Sequence, residues 1–109
     1  MKNICSTVAG FTSLGYPVLM GEWSAGSGIS AADWERKFYG AQAREYGRLA
    51  GSTFWSYLVK PSTVPDGLGL KPDQAQMWSW KDLHNAGVVP NPSPAQNTRS
   101  FLRSMPSAC

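Results

Sequence analysis

Two apolar runs, Y-P-V-L-M at residues 16–20 and S-T-F-W-S-Y-L at 52–58, flank a stretch with helical periodicity. Both runs favour β structure: each is short, and the second is β-branched and aromatic. Pro17 suits the first position of a strand. Between them Trp34, Phe38 and Ala41 lie on one helical face, extended by Tyr39, Ala43, Tyr46 and Ala50. Glu35, Arg36, Arg44, Glu45 and Arg48 fall mostly elsewhere. S-A-A-D from Ser30 has the form of a capping box, and Gly51 is expected to end the helix. A strand, a helix of about 18 residues and a second strand form a right-handed crossover with parallel strands. The fold class is therefore α/β.

Helical patterning also flanks this unit. Ile4, Val8 and Phe11 share a face continued by Leu14, and Gly15 suits the position just past a helix end. The pattern begins almost at Met1, like the back half of a helix. After a polar loop at 60–71, a last helix is expected from Pro72 and Asp73 through Met77, Trp80, Leu83 and His84 to Gly87. V-V-P-N-P-S-P is a proline-rich exit. Residues 1–92 read as one unit and 93–109 as a loosely packed tail. Two parallel strands, apolar on both faces, cannot cover themselves. The order looks like the last quarter of a (β/α)8 barrel, which takes about 250 residues in all. It would comprise the end of helix six, strand seven, helix seven, strand eight and helix eight.

Composition narrows the function classes. A net charge of +3 arises from ten dispersed bases against seven acids. No run of four bases occurs, so a nucleic-acid footprint is not expected. No apolar stretch reaches the roughly 18 residues of a membrane span. The N-terminal apolar run is broken by Asn3, Ser6, Thr7 and Thr12, which argues against a signal peptide. Cys5 and Cys109 have no metal-ligand spacing, and sequence alone leaves their pairing open. Five tryptophans raise a carbohydrate hypothesis, since flat indoles stack on sugar faces.

Three pieces carry a family resemblance. P-V-L-M-G-E-W-S is similar to the strand-seven motif bearing the nucleophile in family five glycoside hydrolases. Y-G-A-Q-A-R-E-Y resembles that family's helix seven. G-S-T-F-W-S-Y, with M-W-S-W-K-D-L-H-N-A-G-V-V-P-N-P, resembles strand eight and the closing helix. Together they span residues 2–92 and point to the fungal exo-β-1,3-glucanase branch. The resemblance implies retaining hydrolysis of β-glucosidic bonds in glucan, with no metal or cofactor. It implies that Glu22 is the nucleophile, at the carboxyl end of a barrel strand. It implies that Trp55 is the sugar platform beside the cleaved bond. It also implies secretion or a cell-wall location.

The same mechanism requires a second carboxylate about 5 Å from the first. In the family this glutamate follows an asparagine on an earlier strand, and no Asn-Glu pair occurs here. S-Y-L-V-K-P also replaces the family's usual sequence after the strand-eight tryptophan. The expectation is a fragment with little or no hydrolase activity of its own. The alternatives are a non-catalytic carbohydrate-binding or interaction module, or a component that completes a barrel with another chain. Core packing is the default for Trp34, Trp78 and Trp80, and packing or a pocket wall for Trp23. His84 is expected as a surface or capping residue, and Asp66 and Asp73 as turn and cap residues. A triad of Ser24, His84 and an aspartate has no supporting elbow motif.

Overall fold

The computed structural model describes residues 1–27, 29, 32–59, 72–89, 91 and 96–109. Its elements are α1 (Lys2–Thr12), β1 (Leu19–Trp23), α2 (Ala32–Tyr46), β2 (Gly51–Phe54), a 3-10 helix (Pro72–Trp78), α3 (Trp80–Asn85) and α4 (Thr98–Ser104). The two strands pair in parallel, as a helical crossover requires. The fold is a small mixed α/β arrangement.

Register explains how the sheet is built. Leu19 pairs with Gly51 and Met20 with Ser52, but Trp23 pairs with Phe54. Gly21 and Glu22 therefore stand opposite Thr53 alone, as in a β-bulge. Beyond this bulge the Trp23 and Phe54 rings meet edge to face, with centroids 5.0 Å apart. Tyr39 and Tyr46 of α2 complete the cluster, 5.4 and 5.6 Å from Trp23. One sheet face is thus sealed by aromatic packing. The other is open, with Leu19 65% exposed and Gly21, Glu22 and Thr53 also exposed.

Both strands are placed differently from expectation. β1 covers Leu19–Trp23 rather than 16–20, and Tyr16 is exposed. Trp23 has the larger apolar ring and an aromatic partner on each neighbouring element, so the paired segment shifts toward it. β2 covers Gly51–Phe54 rather than 52–58, and Gly51 is a strand residue rather than a helix terminus. α2 ends at Tyr46, and the chain turns through Gly47–Ala50 before re-entering the sheet. Glu35 and Glu45 are buried, contrary to the polar-face reading, and Glu45 accepts from Arg48 at 2.9 Å. Ser30, the 60–71 loop with Asp66, and most of the proline-rich exit lie outside the described residues, as does the Asp73 side chain.

The expected last helix is two helices. Ser79 interrupts it in extended conformation and caps α3, its Oγ accepting from the Asp82 N–H at 3.3 Å. Gly87 then adopts a φ of +70°, which suits a residue without a Cβ just after a helix. Gly15 follows α1 in the same way, at φ +72°. The core of Ala25, Met77, Leu83, Val88 and Val89 lies between α3 and the strand ends, with Tyr39, Phe54 and Trp80 against it.

Residues 98–104, within the stretch read as a loose tail, form α4, capped by Asn97 Oδ1 accepting from the Ser100 N–H at 2.8 Å. Gly47 makes room for Leu102, and Gly40 for Pro106. A Cβ on either glycine would stand 2.5 or 2.6 Å from those side chains. Arg44 Nη1 donates to the carbonyls of Arg103 and Met105, at 3.1 and 2.9 Å. A disulfide joins Cys5 of α1 to Cys109.

Candidate functional site

The carboxyl ends of the two strands lie side by side. The Trp55 N–H donates to the Trp23 carbonyl at 2.8 Å, so position 55 is fixed beside the end of β1. Trp23 and Phe54 turn toward α2. Their chain neighbours Glu22, in the bulge, and Trp55, just past the end of β2, take no part in that aromatic cluster. Glu22 is exposed and Trp55 is 56% exposed. The Trp55–Ser56 peptide bond is cis. Both sequence-nominated residues are therefore on one edge of the sheet.

The loops leaving the strands are held from below. Ala25 N–H donates to the Met77 carbonyl at 3.0 Å, and Ser56 N–H to the Trp78 carbonyl at 2.7 Å. The Trp80 and Lys81 N–H groups donate in turn to the carbonyls of Ser56 and Tyr57, each at 2.9 Å. From the α2 side, Gln42 Nε2 donates to the Ser24 carbonyl at 2.7 Å. Trp34 Nε1 donates to Ser27 Oγ at 2.8 Å. Gly26 lets the Trp78 indole approach so closely that a Cβ there would collide with it. These contacts tie the strand ends to the segment Met77–Lys81 on one side and to α2 on the other.

A stack of Tyr57, two residues past Trp55, on Trp80 and His84 was not anticipated from the sequence. Tyr57, 66% exposed, stacks on Trp80 with centroids 6.2 Å apart, and Trp80 stacks on His84 at 5.1 Å. The signal available was the alternation of Trp55 and Tyr57, which the departure from the family pattern obscured. His84 Nδ1–H donates to the Val89 carbonyl at 3.3 Å, leaving Nε2 to accept from Asn91 Nδ2 at 3.4 Å. The ring is half-buried and occupied by packing, which leaves it no triad role. Trp23 is packing, as its three aromatic neighbours show, and its buried Nε1–H has no hydrogen-bond acceptor among the described residues. Trp34, Trp78 and Trp80 are half-buried.

Burial raises the Tyr39 phenol above the ordinary tyrosine range, partly offset by a hydrogen bond from Trp80. Burial raises Tyr46 as well. A raised phenol means that the folded state favours the neutral form. Its contribution to stability is intact below the unfolded value of about 10 and is lost as pH rises through the folded value. Urea midpoints should therefore begin to fall at about pH 10 and keep falling above it, and Tyr39→Phe should fall less steeply than wild type. Equal slopes would show that Tyr39 is not the titrating group.

Among the described residues, no three His, Cys, Asp or Glu side chains gather to hold a metal. No helix among them is long and apolar enough to cross a membrane. Comparison with family models, curated proteins and solved structures finds no match to this chain.

Proposed function

We propose that this chain is the glucan-facing part of a retaining β-glucoside hydrolase, with Glu22 at the nucleophile position and Trp55 as the sugar platform. The observation that carries this reading is the Trp55 N–H to Trp23 carbonyl hydrogen bond. It holds the backbone of position 55 against Trp23, the chain neighbour of exposed Glu22, at the carboxyl ends of parallel strands, and supports the reading because barrel enzymes place their chemistry at that edge. The open sheet face supports a finer reading, that β1 and β2 are strands seven and eight of a (β/α)8 barrel. Parallel sheets are ordinarily covered on both sides.

In such a site the indole face meets sugar C–H groups and holds the ring in place. The Glu22 carboxylate attacks the anomeric carbon as the aglycone oxygen departs, and water later opens the glycosyl ester. Departure needs a proton from a second carboxylic acid, which is worth about 10²–10⁴ in rate. Glu35 and Glu45 belong to α2, on the covered side of the sheet, and do not supply it. The chain alone is therefore expected to bind laminari-oligosaccharides weakly without cleaving laminarin.

Calorimetric titration with laminaritriose checks the binding. Trp55→Ala should weaken it by roughly 2- to 12-fold, the equivalent of about 0.5–1.5 kcal/mol of ring stacking. Unchanged affinity in that variant would remove Trp55 from the site. A second reading, a non-catalytic carbohydrate-binding module, is favoured by the lack of an Asn-Glu pair. Reducing-sugar release from laminarin separates the two. Turnover abolished by Glu22→Gln supports a working hydrolase, and none at all supports a binding role for this chain.

A further inference from the structure

The bases that are scattered along the sequence do not stay scattered in space. A cleft of about 860 Å³ opens between the end of α2 and α4, and Arg44, Arg48, Arg99 and Arg103 all line it. Among the described residues, Glu45 is the only side-chain carboxylate lining the cleft, and Arg48 already holds it at 2.9 Å. Among the described residues, Arg44 donates to neutral carbonyls, those of Arg103 and Met105, and pairs with no carboxylate. No other ion pair forms among the described residues.

This arrangement works against local stability. Arg99 and Arg103 are like charges at i and i+4 on α4, which is unfavourable. Arg99 also lies in the first turn, where the helix dipole disfavours a cation and where α4 carries no acid. The cleft is nevertheless tightly framed. Leu102 packs onto Gly47 on its floor, and the Cys5–Cys109 disulfide ties down its rim. Guanidinium groups gathered from the end of α2, the turn after it and α4 match the oxygens of phosphate or sulfate in paired hydrogen bonds. The volume is far more than one such group fills.

We propose that this cleft binds a small polyanion carrying two or more phosphate or sulfate groups. Calorimetry with tripolyphosphate and, in a second arm, sucrose octasulfate tests it. Binding should be measurable, and Arg99→Ala and Arg103→Ala should each weaken it by roughly tenfold or more. Arg36→Ala, on an exposed part of α2 away from the cleft, should leave it unchanged. Tighter binding of tripolyphosphate assigns a phosphate ligand, and tighter binding of the sulfated sugar a sulfate ligand. Both arginines to be truncated are exposed, and a wild-type measurement avoids variants altogether. Bound polyanion should protect Arg99 and Arg103 from phenylglyoxal while Arg36 still reacts. No binding by either probe overturns the proposal. So does equal loss in Arg36→Ala, which would mean that net charge alone attracts the anion. Glucan binding at Glu22 and Trp55 does not depend on the result.

Discussion

Reducing the Cys5–Cys109 disulfide is expected to lower stability by as much as about 4.7 kcal/mol, the largest single effect in this chain. The bond spans 104 residues of sequence, with Cα atoms 5.7 Å apart. In the chain-entropy account, closing a loop of that size removes about 4.7 kcal/mol of unfolded-state freedom. Residual structure in the unfolded chain lowers this figure, so it is an upper estimate. Domains of this size are stable by roughly 5–15 kcal/mol in total, so the loss is a large part of the whole. The Cys5→Ser/Cys109→Ser variant should melt lower by on the order of 15–20 °C. Added reductant should bring wild type to the same midpoint. A midpoint indifferent to reductant would show that the ends are held by α1, α2 and α4 packing alone.

Replacing Trp23 by alanine is expected to cost about 3 kcal/mol. Truncating a core tryptophan typically costs about 3–5 kcal/mol, and Trp23 belongs at the low end because its ring is only half-buried. The reason for so large a cost is its position: one ring joins β1 to β2 through Phe54 and to α2 through Tyr39 and Tyr46. Without it Phe54 still packs on Tyr39 at 5.9 Å, but β1 contributes no ring to the cluster. Urea denaturation reads the loss. Trp23→Ala and Phe54→Ala should also be non-additive, because each removes the other's partner. Simple additivity would mean that the two rings do not act as one cluster. Because Trp23 separates Glu22 from the core, the same change should also blur the strand-end edge.

Much of this architecture was readable in the sequence, and the reasons differ by element. The parallel pair followed from two apolar runs with one helix between them, because that spacing allows few other connections. Gly15 and Gly87 were readable as helix ends, because a left-handed residue after a helix favours glycine. The strand boundaries were not. Hydrophobicity alone favoured 16–20, whereas the aromatic cluster on α2 draws the pairing forward to Trp23. Propensity cannot see that partner. α4 escaped notice because its seven residues show little periodicity. It is held instead by Gly40, Gly47 and Arg44, far away in sequence. The same distance hid the arginine cleft, whose members come from residues 44–48 and 99–103. At the candidate site, Glu22 and Trp55 were nominated by motif likeness, whereas Tyr57 and its stack on Trp80 became visible only through the return of α3.

We propose that Glu22 and Trp55 together form one sugar-facing edge. The decisive test is to titrate laminaritriose into ¹⁵N-labelled protein and follow backbone and indole resonances. The Trp55 indole and the amides of Glu22, Trp23 and Trp55 should shift together along one binding curve, while α1 and α4 stay still. Shifts confined to other surfaces, or shifts at Trp55 with Glu22 unmoved, would contradict it.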